Sequence, residues 1–364
     1  NRMLDNNKDF RKGFNGKKVI ITGHTGFKGS WLSIWLHDLG AKVIGISKDI
    51  PTQPSLAESS GILNEITDYR ENIKEFSKIS DVINDTKPDF IFHLAAQPLV
   101  RRSYDDPIDT WNTNLIGSIN ILESLKKLDK KCSCVMITSD KCYDNQEWFW
   151  GYKETDRLGG TDPYSASKGS AEIAIRSYNE SYFLKDFKKI NVASVRAGNV
   201  IGGGDWAADR IIPDCIRSWS EGKEIILRNP NATRPWQHVL EPLSGYISTA
   251  SALSNDTIKS GESFNFGPLS NQDYSVNDLV RELSNYWQNV KWSIDNSGVH
   301  PHESGLLKLN CDKALSLLHW APSLDFSQTV NYTASWYKYF QNDSTKIYEF
   351  TRKQIREYID ISGS

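Results

Sequence analysis

The sequence predicts an α/β protein built on a doubly wound parallel sheet, with a smaller mixed α/β lobe attached. Three observations carry that expectation. Short Val- and Ile-rich runs that do not alternate with polar residues recur between helical patterns, as strands buried on both faces do. A glycine-rich turn, Gly23-His24-Thr25-Gly26-Phe27-Lys28-Gly29, joins the first such run to the first helical pattern. A later run ends in Thr138-Ser139-Asp140-Lys141, ahead of Tyr164-Ser165-Ala166-Ser167-Lys168.

Taken in order, Lys17 to Ile21 reads as the first strand. Leu32, Trp35, Leu36 and Leu39 recur at helical spacing, and Gly40 stops that helix. Val43 to Ile46 is a second strand and Ile62 to Ile66 a weak third. A helix is expected over Ile73 to Ile83, closed by Lys87-Pro88, then a fourth strand over Phe90 to Leu94. Asn112 to Leu125 is helical, with Leu115, Ile119 and Leu122 on one stripe. Val135 to Ile137 is the fifth strand, Tyr164 to Phe183 a long helix, and Val192 to Val195 the sixth strand. Strands alternating with helices in this way form parallel sheets. After Gly198 the rhythm breaks. Gly202-Gly203-Gly204-Asp205-Trp206 is a loop, Ile211 to Gly222 a helix and Arg228-Asn229-Pro230-Asn231 a turn. Helices follow over Val276 to Trp287, Cys311 to Leu318 and Thr329 to Phe340, with no clear sheet pattern. This last third reads as a lobe that closes over the first unit.

A formal net charge of −2 gives no reason to expect nucleic acid or an anionic membrane as partner. No apolar run approaches the roughly 20 residues of a membrane helix. Asn1 to Gly16 is polar and charged, unlike a signal peptide, and is expected to be a short arm. Five cysteines, an odd number, fit a reducing compartment, so a cytoplasmic protein without structural disulfides is expected. Cys132 and Cys134 flank Ser133 on a strand with no second Cys or His cluster. They read as buried packing, and no metal site is expected.

Glycines at the strand-to-helix turn let the backbone approach a pyrophosphate, whose charge meets the helix N-terminus. Gly23, Gly26 and Gly29 are placed for this, with Lys28 able to add charge and His24 within the same loop. An acid at the end of the second strand usually holds the ribose of NAD. Here Ser47-Lys48 stand there, with Asp49 one step on, which leaves NADP open beside NAD. Asp68 is a candidate acceptor for an adenine amino group. Leu94-Ala95-Ala96-Gln97 offers small residues over which a cofactor can lie, and His93 reads as packed. Tyr164 and Lys168 share one helix face. An ammonium there favours the tyrosinate and lowers the tyrosine pKa towards that of a general base, with the Ser139 hydroxyl completing the cluster. Asp140 and Lys141 follow the fifth strand at the place where open sheets bind ligands, and are candidates for acid and base. Lys141 needs burial to act as a base. Arg234, beside Pro235-Trp236, suits a phosphate and a base.

With these residues assembled, the chain resembles the extended short-chain dehydrogenase/reductase family, among its nucleotide-sugar epimerases and dehydratases. The likeness covers nearly the whole chain. It is carried by Gly23 to Leu32, Ala95-Ala96-Gln97-Pro98-Leu99-Val100-Arg101, Thr138-Ser139-Asp140-Lys141-Cys142-Tyr143, Arg196 to Trp206, and Arg234-Pro235-Trp236-Gln237-His238-Val239-Leu240-Glu241-Pro242. The resemblance implies a Rossmann unit over 1–198, with 235–268 returning to it, and a nucleotide-sugar lobe over 199–234 and 269–364. It implies an NAD-dependent 4,6-dehydratase in which Tyr164, assisted by Lys168 and Ser139, takes the proton of the sugar 4-hydroxyl, and Asp140 is the acid at the 6-hydroxyl. Phe27, Tyr69, Thr113 and Thr138 join the cofactor site by the same likeness, and Asn199, Arg234, Arg196 and His238 the substrate site. Family dehydratases commonly carry Asp-Glu where this chain has Asp140-Lys141. The lysine marks one branch of them and leaves open which group removes the carbon 5 proton. A homodimer or homotetramer is implied, paired through the helices around Leu115 to Leu122 and from Tyr164. A 4-epimerase is the nearest alternative, and a catalytically idle dinucleotide-sensing module a more distant one.

Overall fold

The computed structural model describes residues 13–185, 189–269, 273–295 and 306–363. Of the arm expected at Asn1 to Gly16, residues 1–12 lie outside the described residues. Strands β1 (Lys18–Thr22), β2 (Lys42–Ile46), β3 (Thr67–Tyr69), β4 (Phe90–His93), β5 (Cys132–Ile137) and β6 (Ile190–Ala197) form one sheet with β7 (Ser263–Phe266). Its order is β7-β6-β5-β4-β1-β2-β3. Every neighbouring pair runs parallel. The order reverses between β1 and β4, and at such a switch point the strand carboxyl ends diverge into a crevice. β5 and β6 are buried along their whole length, which is why they read as unbroken apolar runs.

Helix α1 (Phe27–Asp38) leaves β1 and buries Gly29 to Leu36 without interruption. It has no solvent face because the chain's last helix, α12 (Ile347–Ser362), covers it. The Trp35 and Tyr358 rings meet at 5.9 Å, and Asp38 accepts from Arg352 Nε at 2.7 Å and Arg356 Nη2 at 2.8 Å. Residues 347–362, expected within the 269–364 lobe, therefore pack on the sheet unit.

Other boundaries differ for local reasons. Ile62–Asn64 is a 3-10 turn that drops Ile62 into the core, and the third strand starts after it, opposite Ile44–Ile46. Helix α2 (Phe76–Thr86) starts late, because the Asn72 side chain turns back onto the Lys74 amide at 3.1 Å. α3 (Val100–Asp105) and α4 (Pro107–Trp111) precede a π turn over Asn112–Ile116 that leads into α5 (Gly117–Leu125). Asp106 caps α4 through the Asp109 amide, so this helical run begins earlier than its apolar stripe suggests. α6 (Pro163–Tyr178) carries the Tyr–Lys pair and ends in a second π turn, Asn179–Phe183.

The lobe contains α7 (Ile211–Ser220) and α9 (Val276–Ser284), and small pairings such as Ile225–Leu227 with Trp292–Ile294. Strands of three residues are too short to show a period of two. Between the lobe segments, α8 (Leu240–Ser254) packs on β5 and β6 and leads to β7. α10 (Asp312–Leu318) and α11 (Phe326–Asn342) complete the chain before α12. Among the described residues, no helix is long and apolar enough to cross a membrane.

Candidate active site

A single cavity of about 2010 Å3 opens at the switch point and runs out under the lobe. Drug-sized ligands occupy roughly 300–1,000 Å3, so it has room for two nucleotides. Gly23, Gly26, Phe27, Lys28, Gly29, Ser47, Leu94 to Gln97, Thr113, Thr138 to Lys141, Tyr164, Lys168, Asn199 and Arg234 all line it. His24, Asp68, Tyr69, Arg196 and His238 do not.

The glycine loop fits a dinucleotide phosphate. Gly23 has φ +76, and a Cβ there would stand 2.8 Å from the Ala95 nitrogen. A Cβ on Gly29 would stand 2.1 Å from the Gly23 carbonyl, so only glycine lets the helix start this close to the turn. α1 is preceded by Gly26, which provides no side-chain cap, and has no acidic residue in its first turn, which leaves its positive end to the cavity. Lys28 lies 3.4 Å from the Tyr246 hydroxyl, and burial, reinforced by Arg210 and Lys168, lowers its pKa to about 8. Gly23→Ala is expected to cost about 1–3 kcal/mol of stability through overpacking and strain. It should also abolish the rise in melting temperature that NAD produces. A wild-type melting curve with and without NAD would refute this account of the loop.

His24 points behind the loop, which corrects its expected place at the cofactor. Its ring lies over Gly45, where a Cβ would come within 2.3 Å, and it bonds Asp68 at 2.9 Å and Ser47 at 3.0 Å. Asp68 gives its second oxygen to Arg70, at 3.0 and 2.6 Å. Both of its oxygens are thus engaged with protein, and Asp68 stands behind the cavity lining rather than in it. Tyr69 holds the Ser47 amide through its carbonyl. These three residues fasten β3 to the rest of the site, and Ser47, Lys48 and Asp49 are left facing the cavity. The Gln97 side chain is spent on Leu99 and Thr110. His93 is packed between Thr22 and Ser118, at 2.8 and 3.1 Å.

The candidate catalytic cluster lies where β5 ends. Ser139 caps a 3-10 turn over Asp140–Cys142 by accepting the Lys141 amide, and donates to Asp140 Oδ1 at 2.8 Å. Asp162 caps α6 through the Ser165 amide and so fixes Tyr164 in its first turn. Tyr164, Lys168, Ser139 and Asp140 are all buried. Burial raises the Tyr164 phenol to about 12, while its hydrogen bond with Ser139 acts the other way. Lys168, from which a lowering was expected, is not among the groups that shift it; Arg210 is. Lys168 is itself lowered to about 8 by burial. Burial also raises the Asp140 carboxyl above the usual carboxylate range, against the Lys141 charge and the Ser139 hydrogen bond. Lys141 is only half-buried, which is less than its expected role as a base called for.

Two expected substrate residues prove to be scaffold. Arg196 is buried in a salt bridge with Glu172 at 2.8 Å and donates to the Tyr143 hydroxyl at 2.7 Å. His238 is wholly buried between the Trp31 and Tyr332 rings, with burial holding it neutral at about 3. Conversely, the cavity wall includes residues that sequence reasoning passed over. Arg210 pairs with Asp205 at 2.7 Å, and its charge acts on Tyr164. Arg101 and Arg228 also line the cavity and share Asp209, at 3.3 and 3.2 Å. Arg210 stands at the start of a helix the sequence does show, but a lone arginine there carries no signal of its own. Among the described residues, no cluster of His, Cys, Asp and Glu could hold a metal ion.

Residues 20–333 match the family model described as GDP-mannose 4,6 dehydratase. The CDP-glucose 4,6-dehydratase of Salmonella typhimurium is 46% identical over 327 residues, covering 89% of this chain and 91% of that protein. Among solved structures, Pal from Bacillus thuringiensis superposes with a TM-score of 0.76 at 24% identity, over 88% of this chain and 99% of its own. The dTDP-glucose 4,6-dehydratase of Bacillus anthracis in complex with NAD gives 0.74 at 21%, over 90% and 98%. At such identities the structural likeness speaks for the fold alone.

Proposed function

The chain belongs to the GDP-mannose 4,6 dehydratase family, within the extended short-chain dehydrogenases/reductases, and from that premise we propose that it is a CDP-glucose 4,6-dehydratase. The reaction removes water from CDP-D-glucose by internal redox and yields CDP-4-dehydro-6-deoxy-D-glucose, a precursor of deoxysugars for O-antigen and other lipopolysaccharide. The observation that carries the reading is one cavity holding both a base for the 4-hydroxyl and an acid for the 6-hydroxyl, at the end of one strand. The choice of CDP follows the Salmonella relative and its extent.

Gly23, Gly26, Lys28 and Gly29 would hold the pyrophosphate of NAD, and Ser47 its ribose; NAD when bound supplies hydride chemistry, as acceptor at carbon 4 and donor at carbon 6. Tyr164 takes the 4-hydroxyl proton, with Lys168 and Ser139 beside it. The resulting ketone acidifies the carbon 5 hydrogen. Asp140 delivers a proton to the departing 6-hydroxyl, a task suited to a carboxyl that burial keeps protonated upward of its usual range. Lys141 is the candidate for the carbon 5 proton. Asn199 and Arg234 are placed for the nucleotide diphosphate.

A 4-epimerase needs no acid for a leaving hydroxyl, so buried Asp140 favours the dehydratase. An idle sensing module needs no Ser139, Tyr164 and Lys168 together. A cytoplasmic site and a homodimer or homotetramer go with this reading. Exposed Tyr104 and Ile108 near α4 and Ile173 on α6 support the pairing.

Incubation with NAD and a panel of CDP-, UDP-, dTDP- and GDP-glucose should give a 4-keto-6-deoxy product from CDP-glucose. Turnover of another nucleotide sugar with none of CDP-glucose would overturn the assignment. A pH dependence also follows. Asp140 must be protonated to act, so elimination should slow about tenfold per pH unit once pH rises past its raised pKa. Single-turnover profiles would show this descending limb in the wild type, and its persistence in Asp140→Asn would count against the role.

A further inference from the structure

The helix face that carries Tyr164 and Lys168 carries a third polar residue one turn on. Tyr164, Lys168 and Glu172 recur every fourth position of α6 and so stack along one stripe. All three are buried. Glu172 is engaged on both oxygens. Oε1 accepts from the Thr138 hydroxyl and from Arg196 Nε at 2.9 Å. Oε2 accepts from Ser194 at 2.7 Å and from Arg196 Nη2 at 2.8 Å. These partners come from two adjacent strands. Ser194 and Arg196 belong to β6, and Thr138 follows β5 as the residue immediately before Ser139 and Asp140.

Two features set this pair apart from an ordinary buried ion pair, which well-packed apolar groups often replace without loss. Through Thr138, one carboxylate is tied to the turn that presents the reacting side chains. And Cys142 and then Glu172, a carboxylate one turn along the same helix face, favour the charged form of buried Lys168.

We propose that Glu172 is a positioning residue of the active site: it supplies the counter-charge that keeps Lys168 a cation and, through Thr138, fixes the strand end bearing Ser139 and Asp140. The inference rests on the reading that Tyr164 and Lys168 act at the sugar 4-hydroxyl.

The titratable groups facing Lys168 are Glu172 and Cys142, which favour its charged form, together with Lys28 and His93. Facing Glu172 are Arg196 and Cys142. Burial holds Lys168 at about 8, and Glu172 resists any further fall. Without that charge the ammonium is lost at lower pH, and with it the support for proton removal by Tyr164.

The test uses the full chain as Glu172→Gln and as the double variant Glu172→Gln/Arg196→Met. The double variant removes Arg196 together with its partner carboxylate, so that only Lys168 is left without a carboxylate, and it is expected to fold even if the single does not. Its thermal melting and the pH profile of single-turnover oxidation at carbon 4 are measured beside wild type, with Tyr164→Phe as control. The expected result is a folded double variant whose alkaline limb moves about one pH unit downward, with kcat reduced about tenfold and KM within about twofold. Glu172→Asp, which keeps the charge, should restore most of the limb. A folded double variant with the wild-type limb and kcat would overturn the proposal while leaving the function intact. Full activity in Tyr164→Phe would instead overturn the functional reading on which it rests.

Discussion

Tyr164→Phe should slow proton removal from the sugar 4-hydroxyl by about 10^2–10^4-fold, the range that a general base contributes. The substitution deletes one oxygen from a buried ring of nearly unchanged volume. Ser139, which bonds that oxygen, keeps a second partner in Asp140 at 2.8 Å, so no buried hydroxyl is stranded. The fold should therefore survive and the loss fall on chemistry. Because burial raises Tyr164 to about 12, the free protein holds it as a neutral phenol at neutral pH. Its basicity must come from groups that favour the phenolate, Ser139 and Arg210, which in Tyr164→Phe have no oxygen left to act on. Quenching a single turnover and trapping any 4-keto sugar with borohydride reads this step directly. A rate within about tenfold of wild type would remove Tyr164 from the mechanism.

Lys141→Ala is expected to separate the two halves of the reaction. Lys141 shares a 3-10 turn with Asp140, and only its backbone is tied, to Ser139 at 3.2 Å. Its half-buried side chain can be removed without opening a core cavity. Oxidation at carbon 4 relies on Tyr164 and should continue. Elimination should fall by about 10^2–10^4-fold, so the 4-keto sugar still bearing its 6-hydroxyl accumulates. Solvent deuterium should then fail to enter carbon 5. Wild-type formation of the 6-deoxy product would refute the role. Half-burial leaves the lysine less desolvated than expected for a base, so this variant tests whether its side chain acts at carbon 5.

The sheet was legible where strands are buried on both faces, because β5 and β6 then show as unbroken apolar runs. α8 and β7 were not legible as elements. α8 is buried through most of its length, so it has no polar face to mark its period. That Gly23, Tyr164, Lys168 and Asp140 line one cavity was readable because each stands at a strand end or a helix start with a distinctive neighbour. His24 was misplaced because a glycine turn suggests ligand contact, whereas Gly45 opens a space behind it. Arg196 and His238 came in with long motif matches. Such a match does not distinguish a residue that touches a ligand from one that holds up the wall. Glu172 drew no attention because a single carboxylate in a helical pattern reads as a solvent face, until its partners are seen on β5 and β6.

The covering of α1 by α12 bears on how the chain is made. A ribosome that has reached Gly198 has already produced the phosphate loop, Ser139, Asp140, Tyr164 and Lys168. At that moment β6 is still an unpaired edge, since its neighbour β7 begins at Ser263. Trp35 still lacks Tyr358 against its ring. Open strand edges and bare aromatic helices are the surfaces through which nascent chains associate wrongly. The candidate catalytic residues thus exist well before the polypeptide that shelters them, and the sheet unit closes only when residues 347–362 have left the ribosome.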